Sequence, residues 1–299
     1  MTLLSICIPT YNHAVYLEQA LSRLLSLPVV RDGVVEVVVS DNASSDGTQI
    51  VAERFASQYP RTVRYFRNAE NVRDANFALA LSRGTGEFRK LANDTLLFTE
   101  DGLSLILSTV RRHQSDRPTL FFANLGRDKG ETECRTFDEF FESVSFHSTW
   151  IGSFGVWKEE LAYLSDFDRM AKLQLTQVDA LCLLMEKGHC VVVENSKFCE
   201  IIPRDVIGGY NLAQVFGHNY LTILNAYVRS GDMSKRQFRR ERFRMLRYHL
   251  LPFYLSFSSH HAFPKSGYIR YLLRWYWPSP FYWLTVPFVL IVACACKGR

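Results

Sequence analysis

Three short polar groups each accompany a run of aliphatic and β-branched residues: Pro9-Thr10-Tyr11-Asn12 after Leu3 to Ile8, Asp41-Asn42 after Val34 to Ser40, and Asn93-Asp94 within Glu87 to Phe98. Their side chains suit a nucleotide. A carboxylate such as Asp41 accepts a hydrogen bond from a base N–H, the ring of Tyr11 stacks on the base, and the hydroxyl of Thr10 bonds base or ribose edges. No glycine-rich phosphate loop accompanies them. The three groups can serve one ligand only if the runs are neighbouring parallel strands, because an open parallel sheet binds ligands where the carboxyl ends of its strands meet.

The first hundred residues have the alternation that such a sheet needs. Leu3 to Ile8 reads as a strand closed by Pro9, which cannot donate to a ladder. Ala14 to Ser26 has leucines and alanines at helical spacing, and Val34 to Ser40 is a continuous apolar run of the kind buried on both faces. A polar loop, Asp41 to Thr48, then offers several helix caps for a helix reaching about Tyr59. Val63 to Phe66 is the next strand, and Asp74 to Arg83 a helix stopped by Gly84 and Gly86. Glu87 to Phe98 is a further strand and loop. Leu103 to His113 follows as an amphipathic helix, Thr119 to Leu125 as a strand, Phe137 to Val144 as a short helix, Asp179 to Glu186 as a helix and Cys190 to Glu194 as a strand.

The order strand–Pro9-Thr10-Tyr11-Asn12, then Ser40-Asp41-Asn42-Ala43-Ser44-Ser45-Asp46-Gly47-Thr48, then Asn71-Val72-Arg73-Asp74-Ala75-Asn76, then Gly86-Glu87-Phe88 resembles the inverting family 2 glycosyltransferases of GT-A fold. The resemblance covers about residues 3 to 100 and rests on order and spacing together. It implies an α/β, mostly parallel sheet flanked by helices, and a nucleoside-diphosphate sugar as donor. Thr10, Tyr11, Asp41 and Arg73, with Asn12, Asn42, Asn93 and Asp94 around them, would hold that donor. Asp46 and Ser44 equally suit helix capping, and Asn71 a turn.

The family's Asp-x-Asp motif binds a divalent metal bridging the diphosphate. Here Asn93 stands at the first acid and Thr95 at the second, with Asp94 between them. Mg²⁺ or Mn²⁺ accepts one or two carboxylates plus substrate phosphates, so Asp94 is the expected ligand. His218 is a second candidate, similar to a late histidine of several GT-A enzymes; a structural histidine fits as well. Without the ion, Arg73 or another cation would have to neutralise the leaving diphosphate. Inverting transfer also needs a base for the acceptor hydroxyl. Asp179, in Thr176-Gln177-Val178-Asp179, resembles the acid that opens a helix in the second half of the domain; Asp166 and Asp168 are the alternatives. Trp150-Ile151-Gly152-Ser153 resembles the acceptor-side loop, although Trp150 also suits a core. Gly208-Gly209-Tyr210-Asn211 reads as a hinged loop able to close over the site.

Composition bounds the rest. With 47% hydrophobic and 22% charged residues in 299, the chain has the make-up of a folded globular protein. Seven cysteines without a C-x-x-C pair suggest neither a disulfide framework nor a zinc knuckle, and a reducing compartment fits. The net charge of +5 is modest and concentrated: Leu221 to Arg247 is helical in period and carries seven Lys and Arg from Lys235 onward against Glu241 alone. A general nucleic-acid binder is not expected, since no reading module accompanies that cluster. Trp275 to Cys296 then runs 22 residues without charge, barely enough to cross a bilayer or, with its prolines, to lie in one leaflet. The expectation is a sheet domain over 1–208 and a helical, membrane-associated region over 209–299. The enzyme would sit at the cytoplasmic face of a cell membrane, extending a glycan or lipid-linked acceptor of a surface polysaccharide. A non-catalytic membrane-bound scaffold of the same fold is the alternative.

Overall fold

A computed structural model of the protein describes residues 2–30, 32–126, 130–164, 171–204, 207–250, 261–264, 266–277 and 287. In chain order the strands are β1 (Leu4–Thr10), β2 (Val35–Asp41), β3 (Val63–Arg67), β4 (Phe88–Leu91), β5 (Leu96–Phe98), β6 (Thr119–Phe122), β7 (Glu131–Cys134), β8 (Gly155–Trp157), β9 (Val191–Glu194), β10 (Cys199–Ile201), β11 (Ile207–Gly208) and β12 (His261–Ala262). The helices are α1 (Ala14–Ser26), α2 (Thr48–Gln58), α3 (Ala75–Arg83), α4 (Glu100–Arg112), α5 (Phe137–Val144), α6 (Thr176–Glu186), α7 (Tyr220–Ser230), α8 (Lys235–Arg244) and α9 (Tyr268–Tyr276).

The central sheet has the order β3-β2-β1-β4-β8. Its first four strands are parallel and β8 runs antiparallel at the edge. A smaller sheet, β6-β9-β7, and an antiparallel pair, β5 with β10, extend the layer. Both faces of the central sheet are covered. Leu4, Ile6 and Ile8 of β1 join Leu17, Leu21 and Leu24 of α1 and Phe55 of α2 in one core, whereas Cys7 and Val38 join Ala80 and Leu81 of α3 in the other. This division is the period-2 alternation of a strand buried on both sides, and it explains why the runs read as continuously apolar.

β1 does not stop at Pro9 but continues through it to Thr10, with Pro9 opposite Ser40. The ring is tolerated because odd-numbered residues of β1 turn toward β4, whose pairing ends at Leu91 opposite Cys7; the missing N–H falls where no strand remains to receive it. The expected helix from Leu221 to Arg247 is two helices. Gly231 at φ +99° ends α7, its N–H reaching the Tyr227 carbonyl, and the Ser234 hydroxyl caps α8 by accepting from Gln237 N–H. α5 appears over the expected residues, held by a capping box between Thr136 and Glu139, worth about 1 kcal/mol.

The helices that follow residue 213 pack into the second core. Tyr220, Leu224, Met245 and Leu272 are buried there with Phe141 of α5 and Leu181 of α6. No helix among the described residues is long and apolar enough to cross a membrane. Of the apolar tail from Trp275, only Trp275 to Trp277 and Pro287 lie within the described residues.

Candidate active site

The carboxyl ends of β1, β2 and β4 open on one crevice of about 1070 Å³. Thr10, at the tip of β1, donates from Oγ1 to Asp94 Oδ2 at 2.7 Å, and His13 Nδ1 lies 2.9 Å from the same oxygen. The N–H of Ala92, just past β4, bonds the Cys7 carbonyl, and Leu96 N–H closes a turn onto the Asn93 carbonyl. Asp94 is thereby delivered to the tip of β1, and it is 6% exposed. The hydrogen bond that His13 donates to Asp94 raises the imidazole above its usual value, because a carboxylate partner favours the charged form.

Thr10, Tyr11, Asn42, Arg73, Asn93, Asp94 and Tyr210 line this one crevice. Tyr11 is 44% exposed and offers a ring face to a ligand. Asn42 works mainly on the protein: its Nδ2 donates to Asn71 Oδ1 and to the Arg73 carbonyl, and its Oδ1 accepts from Val72 N–H and Asn68. These bonds hold Arg73 at φ +52°, a left-handed conformation that a non-glycine residue keeps only when its surroundings impose it.

Other expected residues are placed elsewhere. Asp41 is fully buried behind the crevice, with Ser44 N–H on Oδ1 at 2.9 Å and the Tyr65 hydroxyl and Arg67 Nη1 on Oδ2 at 2.9 and 2.7 Å. Burial and the Asp41 carboxylate push the Tyr65 hydroxyl up to about 12, keeping it a donor. Asp41 therefore braces the loop rather than meeting a base. Asn12, at φ +53°, accepts from Ser45 N–H through Oδ1, so it ties the first loop to the second and is not part of the crevice wall. Asp46 accepts from Thr48 N–H and Ala14 N–H, joining the starts of α1 and α2, as its capping reading implied.

Asp179 is 2% exposed within α6, whose first seven residues are all buried, and its Oδ1 accepts from the Tyr227 hydroxyl at 3.1 Å. It does not reach the crevice, which corrects its assignment as base: α6 is wrapped by core on every side at that turn. Asp166 and Asp168 lie outside the described residues. Trp150 stacks on Phe198 at 5.8 Å and packs against the core, and a Cβ at Gly152 would come within 2.8 Å of the Trp150 ring. Trp150 is half-buried, and neither it nor Gly152 is among the residues lining the crevice. His218 sits one layer back, its ring 5.9 Å from that of the crevice residue Tyr271, and burial lowers its basicity.

Beyond Asn211 of the expected hinged loop, the wall also has His13, Lys172, Gln174, Arg204, Gln214 and Tyr271, which the sequence reading did not single out. Only His13, beside the first polar group, carried a signal; the others come from loops and helices that no motif marks. Asn211 reaches the Ser266 carbonyl at 2.8 Å, and β11 pairs in parallel with β12, so residues 207–211 and 261–264 with Ser266 form one flank. Arg73, Lys172 and Arg204 thus share the crevice with Asp74 and Asp94. A cation-rich cleft with two carboxylates and an exposed tyrosine ring suits an anionic ligand carrying an aromatic base. For a divalent ion the oxygens are Asp94 and Asn93, whose buried Oδ1 is without a hydrogen-bond partner among the described residues. No group of three or more His, Cys, Asp or Glu comes together there, so donor phosphates would have to complete the shell, which Mg²⁺ and Mn²⁺ permit.

Known proteins are similar to this chain. The family model "Glycosyl transferase family 2" matches residues 5–121. Abequosyltransferase RfbV of Salmonella typhimurium is 30% identical over 150 residues, 50% of this chain and 41% of that protein, so the match spans less than half of the curated relative's length. Among solved structures, the mannosyltransferase PcManGT from Pyrobaculum calidifontis, in complex with GDP-Man and Mn²⁺, is 19% identical with a TM-score of 0.59, over 98% of this chain and 86% of that one. TarS 1–349 of S. aureus, in complex with UDP-GlcNAc, is 14% identical with a TM-score of 0.59, over 91% and 80% of the two chains. At such identities the structural likeness establishes the fold. From the strand tips to the family model, the observations agree that residues 5–121 of this chain are similar to glycosyl transferase family 2.

Proposed function

We propose that the chain transfers a sugar from a nucleoside-diphosphate sugar to a hydroxyl of a glycan acceptor, with inversion, in the assembly of a surface polysaccharide. The observation that carries this reading is the junction of Thr10, His13 and Asp94 at 2.7 and 2.9 Å on the floor of a crevice also lined by Arg73, Lys172 and Arg204. Cations there oppose the negative charge that develops on a departing diphosphate, the largest electrostatic demand of the reaction. Tyr11 supplies a stacking face for the base, and Tyr210, which also lines the crevice, would meet the sugar or acceptor. GDP-Man and UDP-GlcNAc in the structural neighbours and the abequosyltransferase relative support a sugar-nucleotide donor.

Asp94 and Asn93 would hold the divalent ion, Mn²⁺ or Mg²⁺, together with phosphate oxygens. When bound, the ion supplies positive charge to the diphosphate. Acceptor deprotonation needs a carboxylate within hydrogen-bond reach; with Asp179 enclosed, Asp74 is the other carboxylate lining the crevice among the described residues. A lipid-linked acceptor at the cytoplasmic face of a membrane accords with the basic helix α8 and the uncharged run that begins at Trp275.

A thermal-shift series with UDP-, GDP-, CDP- and dTDP-sugars, with and without Mn²⁺, tests the reading. One nucleotide series should raise the melting temperature, and Arg204→Ala should weaken that rise. Absence of a shift with every sugar nucleotide overturns it.

A further inference from the structure

α8 carries six basic residues in ten, and its one acid, Glu241, is fully buried beneath the helix. The surface therefore keeps the positive charge without an acid of α8 to offset it. Arg236, Arg239, Arg240 and Arg244 border a shallow groove of about 480 Å³ that also contains Phe243, 42% exposed. Glu142 is the acid in that groove, and it is already paired with Arg240 at 3.1 Å and Arg244 at 2.9 Å.

A second observation concerns what lies alongside. Arg242 donates to the Trp275 carbonyl, the Tyr276 hydroxyl donates to the Arg242 carbonyl at 2.9 Å, and Phe238 meets Trp275 edge-on at 5.7 Å. The end of α9 is thus fastened along α8, and there the 22-residue uncharged run begins, with Trp277 59% exposed. Arginines interleaved with an exposed aromatic, next to the start of an apolar run, match a surface of phosphate headgroups above hydrocarbon. Nucleic acid would use the arginines but gains nothing from the apolar run.

We propose that the exposed face of α8, built on Arg236, Arg239, Arg240 and Phe243, docks on a membrane surface bearing anionic phospholipid headgroups. α9 carries this placement to the crevice. Tyr271 lines the crevice, and Trp277 lies six residues further on, about 9 Å along a helix. The link to a lipid-borne acceptor rests on the transferase reading; the headgroup contact does not.

The test is flotation of the full chain with vesicles of phosphatidylcholine alone or mixed with phosphatidylglycerol. Wild type should prefer the anionic vesicles. Each basic residue near such a surface multiplies binding about five-fold, so R236Q/R239Q should bind about 25-fold more weakly, and R236K/R239K should bind as wild type does. The thermal shift given by the sugar nucleotides is measured on every variant: unchanged shifts with lost flotation locate the defect at α8, and no shift in wild type is a failure of the crevice reading alone. Equal flotation of wild type on both vesicle types, wild-type flotation by R236Q/R239Q, or displacement from vesicles by a short DNA duplex would overturn the proposal.

Discussion

Asp94 receives two hydrogen bonds on one oxygen, from Thr10 at 2.7 Å and His13 at 2.9 Å, and this shared contact lets single substitutions be read separately. Asp94→Asn keeps the shape but loses the charge facing the donor, so transfer should fall about 100-fold or more while the melting temperature stays close to wild type. Thr10→Val leaves Asp94 one donor short in a buried place and should cost about 1 kcal/mol of stability, read by urea unfolding. His13 gives a pH signature. Its folded value is raised, mainly by the bond to Asp94, so its contribution is complete below the ordinary value of 6.5 and disappears as pH rises through the raised value. The stability difference between wild type and His13→Gln should shrink across that window in thermal melts; a difference constant from about pH 5 to about pH 9 would show that no imidazolium is involved. The strand-tip residues were legible because residue type and strand position together imply convergence. Asp41 and Asp179 were not, since spacing shows which turn a side chain occupies but not whether an arginine such as Arg67, or a second helix such as α7, covers it.

β4 contains a lysine where the sequence offers no partner for one. Lys90 is fully buried, its ammonium over the rings of Phe198 and Phe122 at 4.6 and 5.2 Å and donating to the Gly152 carbonyl. Burial lowers its value to about 7. Between about 7 and the ordinary 10.5 the unfolded chain binds more protons than the folded one, so stability rises with pH there, by at most roughly 1.4 kcal/mol per unit. The buried thiols of Cys7, Cys134 and Cys199 are raised by burial from 9.0 and act in the opposite sense at higher pH. Between about pH 7 and 8.5 the thiols contribute little and the falling contributions of His13 and Glu241 are common to both chains, so the slope of the unfolding free energy should be flatter in Lys90→Met than in wild type; an unchanged slope would assign it to other groups. Gly231 is a second test of element boundaries. At φ +99°, Gly231→Ala should cost about 1 kcal/mol, whereas a continuous helix across α7 and α8 would gain from alanine. Periodicity alone favoured the continuous helix, because one glycine among helix formers barely disturbs the pattern.

The division expected at residue 208 can be judged from what each part would expose alone. Tyr220 and Leu224 of α7 are completely buried in the core that holds Phe140 and Phe141 of α5 and Cys182 of α6. Polar contacts cross the same boundary: Glu241 accepts from the Ser145 hydroxyl at 2.8 Å and the Tyr220 hydroxyl at 3.2 Å, and Asp179 accepts from Tyr227. Burial raises Glu241 to about 7, so this carboxyl depends on those donors and on Arg244 to remain charged. The crevice needs the later segment as well, since Tyr210, Gln214 and Tyr271 form part of its wall. A chain ending at residue 208 would leave the aromatic faces of α5 and the buried turn of α6 in water, at roughly 25 cal/mol for each Å² uncovered. We expect that truncation to retain far-UV dichroism from the β1–β4 sheet, to lose near-UV dichroism, to bind a hydrophobic dye and to give no thermal shift with any sugar nucleotide. A truncated chain that melts cooperatively and still responds to the donor would instead make the first 208 residues an independent unit, with α7 to α9 only an attachment.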